Sequence, residues 1–326
     1  MIHSERATPD LTRRRAITLF AYCGCTLGIH CVSVAGISAV HAQSESVSWS
    51  IVAAGCHILV SVDDATLRAR HAAVDRWVLR AASAVAAYYG AFPARRLSIR
   101  ISAVDGGRVR SGVLRLAHEL VIDVTLGRSV TAAELDDDWI LVHEMVHLAL
   151  PRLADAHHWL SEGLATYVEG VARAQAGTRT VEDVWSEWLE RMPLGRPQVG
   201  GGGLDDSRSW ARTYWGGALF CLMADVRLRQ QSQNRSGLQD AMRAILALGG
   251  GYRESASLPA LLAEAGRSMG NDVLTQLYEE IGQHEGSTAI EAMWQQLGVD
   301  RTDGELRIDE TAPLAALRRA ITAHRQ

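Results

Sequence analysis

Lysine is missing altogether: in 326 residues every one of the 33 basic side chains is arginine. Schiff-base chemistry and the lysine-bearing phosphate loop are excluded together by that one absence. No long basic run occurs and the formal net charge is −4, so the phosphate-neutralising surface of a nucleic-acid binder is missing and no nucleic-acid partner is expected. Cysteine is scarce too. Of five, Cys23, Cys25 and Cys31 fall in an N-terminal apolar stretch, which leaves Cys56 and Cys221. Neither has a metal-site spacing, and one in a strand-like run and one in a helix-like run read as two buried free thiols rather than a disulfide. Beyond the first 42 residues no segment is long and apolar enough to cross a bilayer.

What is present suits a globular protein, with 48% hydrophobic and 21% charged residues. Residues 1–42 read as an export signal: the basic Arg13-Arg14-Arg15, an apolar run from Ala16 to Val40, then Val40-His41-Ala42 as the cleavage site. The mature chain would begin near Gln43 and be periplasmic or secreted. A triple arginine serves either the twin-arginine or the general route, so the route stays open. Contact with a membrane is expected only if this segment stays uncleaved as an anchor.

Trp49 to Val62 is rich in Val and Ile and suggests one or two strands. Leu67, Val74, Val78, Ala81, Val85 and Tyr88 recur at helical steps up to Gly90. Leu97 to Ile101 alternates as a half-buried strand does, and Val113 to Val124 reads as one or two more. Asp136-Asp137-Asp138 then starts an apolar helix, Trp139 to Leu150, stopped by Pro151. Further helices are expected over Trp159–Ala174 and Val181–Met192. The four glycines Gly200 to Gly203 read as a mobile loop or hinge, and from Trp210 the pattern is helical nearly to the end. The expected fold is α+β: a catalytic part over 43–195, with a small sheet and the metal-binding helix, then a mainly helical part over 204–326.

His143 and His147 stand four apart on the apolar helix, about 40° apart in azimuth and roughly 6 Å along the axis, so one divalent zinc can bridge their imidazoles. Glu144 projects about 100° round the same helix, where a carboxylate can take a proton from an attacking water without ligating the metal. Three ionisable groups interrupt a helix that is otherwise buried, and burying them unpaired would cost several kcal/mol, roughly. Catalytic zinc needs a third protein ligand. Glu162, in Trp159-Leu160-Ser161-Glu162-Gly163 at the start of the next helix, is the candidate. A third histidine six positions after His147 would be the alternative arrangement, but Leu153 stands there. His157 and His158 are read as surface residues near the cleft entrance. Glu169, one heptad after Glu162, either accepts a hydrogen bond from a ligand histidine or is an ordinary solvated glutamate. Tyr167 is read as core.

These residues resemble the gluzincin clan of metallopeptidases, especially its compact peptidase-MA-like families. The resemblance rests on His143-Glu144-Met145-Val146-His147, Trp159-Leu160-Ser161-Glu162-Gly163, Tyr167 and Glu169. It continues into Tyr214-Trp215-Gly216-Gly217, which looks like the segment carrying a transition-state tyrosine. Asp225-Val226-Arg227-Leu228-Arg229 and Leu238-Gln239-Asp240-Ala241-Met242 are similar to a helical segment of the glycyl-aminopeptidase family. It spans about residues 138–245. It implies a thermolysin-like α+β subdomain facing a helical one across a cleft, zinc as cofactor, and a peptide or protein as substrate. It also implies Glu144 as general base and Tyr214 as donor to the oxyanion. Two departures stand out: Gly216 replaces a lysine, and Gly112-Val113-Leu114-Arg115-Leu116 lacks the glutamate and asparagine with which the clan's aminopeptidases hold a free amine. An endopeptidase is therefore expected over an aminopeptidase. A non-catalytic exported zinc protein with a partner-binding helical half is the rival reading.

Overall fold

The computed structural model describes residues 46–197, 200–285 and 290–323; the expected export signal, 1–42, lies outside them. Strands β1 (Val47–Ala53) and β2 (Cys56–Val62) form an antiparallel hairpin. Its turn, Ala54-Gly55, has positive φ at both residues (48° and 79°), the handedness that a tight hairpin requires. Two helices follow where the periodicity predicts one. Asp64 caps α1 (Ala65–Arg68) by accepting from Thr66 N and Leu67 N, and the chain restarts as α2 (His71–Tyr89). That helix stops at Gly90 in the left-handed region, φ 82°.

Strands β3 (Arg96–Val104), β4 (Val109–Leu116) and β5 (Leu120–Gly127) complete a five-stranded sheet ordered β1-β2-β3-β5-β4. β4 is antiparallel to β5 and lies at the edge. A capping box between Thr131 and Glu134 starts α3 (Ala132–Asp136), and α4 (Ile140–Val146) packs against both α2 and β4. The expected helix to Leu150 is shorter than predicted. After Val146 the chain tightens into a 3₁₀ turn, His147–Ala149, and Leu150 is extended at φ −118°, ψ 135°. Pro151 is the cause, because a residue before proline is pushed out of the helical region.

Helix α5 (His158–Gln175) crosses behind α4, followed by α6 (Val181–Arg191). The later half holds α7 (Gly217–Gln231), α8 (Leu238–Ala247), α9 (Leu258–Met269), α10 (Val273–Leu277), α11 (Ile290–Leu297) and α12 (Ala315–Thr322). It is not wholly helical. Strands β6 (Val299–Thr302) and β7 (Glu305–Ile308) pair as a hairpin around Asp303 and Gly304, both at positive φ. Buried apolar residues run as one cluster from the sheet through α2, α4 and α5 into α7 to α11.

Polar ties cross the same region. Gln239 and Arg243 of α8 donate to Tyr88 O, and Arg243 also to Ala87 O, satisfying carbonyls at the end of α2. Asp225 on α7 accepts from Tyr167 Oη, Arg229 Nε and Leu238 N at 2.7–3.0 Å, and all of this is buried. Tyr167 is thus a core residue. Cys56 and Cys221 are buried free thiols, their thiols pushed up in pKa by burial.

Candidate metal centre

Every residue of α4 is buried, the ionisable ones included. Asp138 starts the helix by accepting from Ile140 N and Leu141 N at 3.0 Å, and Trp77 Nε1 donates to the same carboxylate at 2.9 Å. Each buried polar side chain then finds a partner outside the helix. His143 Nε2 lies 3.1 Å from Glu162 Oε2, and His147 Nε2 lies 3.7 Å from Glu162 Oε1. On its other nitrogen, Nδ1, His147 meets Ser161 Oγ at 3.1 Å. Glu144 turns away towards the sheet edge, where Leu114 N–H donates to its Oε2 at 2.8 Å. Gly112 makes that approach possible: a Cβ there would lie 2.7 Å from Glu144 Cγ and 2.8 Å from Ile140 Cγ2.

The electrostatics follow from this crowding. Burial pushes Glu144 up to about 7, against the pull of His143 and Leu114 N–H. Burial also lowers His147, to about 4. Glu162 is desolvated as well, but His147, His143 and His158 outweigh burial and hold it well below the usual carboxylate range. For His143 the order reverses: burial lowers it, and the bond to Glu162 with the nearby carboxylates more than restores it.

One ligand atom each from His143, Glu144 and His147 lies within 4.8 Å of the others. Glu162 is nonetheless the better candidate for a third ligand than Glu144. Its two oxygens meet both Nε2 atoms, whereas an oxygen of Glu144 is already bound to Leu114 N–H. Two imidazole nitrogens and one carboxylate, converging in a buried site, are a donor set that zinc accepts. Ser161 fixes the ring of His147 from behind, as the outer partner of a ligand histidine does. The residues present fit the metal.

Tyr214 lies on the other wall. Its ring stacks on His143 with centroids 6.0 Å apart and 16° between planes, and its hydroxyl hydrogen-bonds the Glu162 carboxylate. Burial, Glu162 and Glu144 all raise its pKa, so the phenol keeps its proton. It stands in a π-turn, Arg212–Gly216, at the head of α7, a widening often found at functional sites. The two glycines do bring this helix close: a Cβ on Gly217 would lie 2.1 Å from Trp159 O and 2.7 Å from Gly163 Cα.

The glycine loop before it is not a free hinge. Arg212 donates to the carbonyls of Gly201, Gly202 and Gly203 at 2.7–2.9 Å and clasps the loop. Two expectations about neighbours also change. Glu169 is neither solvated nor bonded to a ligand histidine; it is buried and paired with Arg173 at 2.8 Å. His143 Nδ1 accordingly has no hydrogen-bond partner among the described residues. His158 is a surface residue beside the site, 61% exposed with Nε2 3.5 Å from Glu162 Oε1. His157 is not free: its Nδ1 meets Asp205 Oδ1 at 2.9 Å, and Asp205 also accepts from Trp159 and Tyr278. Ser161 and Leu114 N–H join the site only through tertiary packing. No pattern in the chain marks a serine as the partner of a histidine fourteen residues earlier.

No family model matches the chain, and no curated protein matches it in sequence. Among solved structures it is similar to an aminopeptidase N family protein from Idiomarina loihiensis, with 16% identity and a TM-score of 0.55, over 78% of this chain and 49% of that one. It also matches an M1 zinc metallopeptidase from Deinococcus radiodurans at 17% identity and a TM-score of 0.46, over 72% and 50% of the two chains. The chain spans about half the length of these proteins. The first likeness shows a shared α+β fold of small sheet and helices.

Proposed function

We propose that this chain is a zinc-dependent peptidase of the gluzincin type that cuts within peptide chains. The observation carrying the reading is the convergence of His143, His147 and Glu162, with Glu144 beside them and its Oε2 engaged by Leu114 N–H. His143, His147 and Glu162 would hold zinc, which would supply a Lewis acid for the peptide carbonyl and for an attacking water near neutral pH. Glu144, which burial raises to about 7, accepts the proton that water loses on attacking the carbonyl and returns it to the leaving amine. Its bond to Leu114 N–H keeps the carboxylate aimed while this happens. Tyr214 exchanges its Glu162 partner for the carbonyl oxygen and donates to the charge developing there.

The strand against the site supports internal cleavage. Gly112 and Leu114 of β4 face Glu144, while Arg115 pairs with Asp123 at 3.0 Å on the other face of the sheet. No acidic side chain of Gly112–Leu116 is there to bind a substrate's terminal ammonium. The structural relative named as an aminopeptidase N family protein differs from this chain in length and in 84% of aligned residues, being 16% identical, so its activity is not carried over. Residues 1–42 are read as an export signal cleaved after Ala42, which N-terminal sequencing of the envelope fraction tests.

The function is tested by incubating the purified chain with a mixed peptide pool, with chelator, and with chelator followed by zinc. New internal cleavages that vanish and return with the metal support the reading. A chain that binds no zinc and cuts nothing overturns it.

A further inference from the structure

The chain has nine tryptophans. Eight are buried or half-buried and Trp210 alone is exposed, at 39%. A tryptophan left in water forfeits a large apolar contact, so the surface it occupies is informative. Its ring stacks on Tyr214 at 5.2 Å and 24°, and Tyr214 stacks on His143 at 6.0 Å and 16°. Three rings therefore lie in series from solvent to the metal ligand. Trp139, half-buried, meets His143 edge-on at 5.6 Å. The base of the stack is fixed, because Arg212 holds three carbonyls of the preceding loop and its own N–H meets Ser209 Oγ at 3.3 Å.

We propose that the open face of Trp210 is a specificity wall, taking an aromatic or large aliphatic side chain of the peptide next to the bond that is cut. The inference rests on the peptidase reading above and names the substrate class that it leaves open. A cationic side chain would also suit a tryptophan face. The carboxylates beside the stack, Glu144 and Glu162, are buried and engaged with Leu114 N–H and with the histidines, so neither stands at the exposed face as a counter-charge. An apolar side chain needs none, and it covers the one large aromatic side chain exposed among the described residues.

The competing role is a brace: Trp210 could act only by holding Tyr214 in place. A brace lowers kcat alike on every peptide, whereas a wall changes the ratio between peptides and does so mainly in KM.

The test uses the full zinc-loaded chain and peptides identical but for Phe, Leu, Arg or Ala beside the cleaved bond. Wild type should favour Phe and Leu over Ala by about tenfold or more in kcat/KM, and Trp210→Ala should bring that ratio close to one. Trp210→Phe should retain most of it. A ratio unchanged in Trp210→Ala, a uniform fall in kcat, or a preference for Arg each overturns the wall. Binding of the same peptides to Glu144→Gln, with and without Trp210→Ala, is measured by calorimetry. If no peptide is cleaved but a Trp210-dependent Phe preference in binding remains, the peptidase reading fails and the wall stands. If cleavage is zinc-dependent but neither assay shows the preference, the wall fails and the peptidase stands.

Discussion

Gly163 of α5 and Gly217 of α7 cross with their backbones in contact: a Cβ on Gly163 would lie 2.2 Å from Gly217 Cα. This crossing brings Tyr214 over a carboxylate that sits one residue before Gly163. Seven residues further along α5, a Cβ on Gly170 would meet only side chains of Trp188 and Val184, at 3.4 Å. The two glycines should therefore answer alanine differently. Gly163→Ala forces two helices apart and is expected to lower Tm by roughly 5–10 °C. Gly170→Ala should be within about 1 kcal/mol of neutral, because alanine favours the helix. Thermal unfolding of the two variants side by side checks this, and equal losses would place the tight crossing elsewhere.

Metal content separates the ligands from their supports. Glu162→Ala removes one of the three proposed ligands and should strip zinc from the purified protein. Full occupancy in that variant would point to the neighbouring His158. Ser161→Ala should keep the metal but weaken it, by about 10–100-fold in affinity, since only the partner of His147 Nδ1 is lost. Competition with a chromogenic chelator reads both.

Asp138 gives a stability effect with a defined sign. Burial raises its carboxyl to about 6 from an ordinary 3.8, so the folded state holds the proton more tightly than the unfolded chain. The contribution is fully present below about pH 4 and is lost as pH rises to about 6, on the order of 3 kcal/mol in all. Asp138→Asn keeps one of the two acceptor oxygens at the start of α4 and cannot ionise, so it costs stability at every pH but its cost should change with pH. Relative to wild type it should gain stability between pH 4 and pH 7, measured by denaturant unfolding at both. A difference that does not change with pH would show that Asp138 is ionised throughout.

Tyr214→Phe removes the donor that the proposed mechanism uses in the transition state. Expected is a fall in kcat of about 10²–10³ with little change in KM or zinc content. A change confined to thermal stability would make Tyr214 a packing residue.

Much of this site could be read from the chain because helical spacing carries it. His143, Glu144 and His147 are fixed by one turn of an apolar helix, and Glu162 by the start of the next. What escaped depends on contacts without period. Arg212 reaches back nine to eleven residues to backbone carbonyls, which turned an apparent hinge into a clasped loop. Ser161 and Leu114 N–H become partners only once helices and sheet are packed. Two misses had a signal: Asp303-Gly304 marks a hairpin, and Glu169 with Arg173 is an ordinary i,i+4 pair.

The central claim is that Glu144 is the base and not a ligand. Glu144→Gln keeps the shape and loses the proton acceptor, so zinc bound per chain and hydrolysis of a cleaved peptide should be measured on one preparation. Full zinc and a rate reduced by about 10²-fold or more are expected. Activity within a few-fold of wild type, or zinc lost along with activity, would contradict the claim.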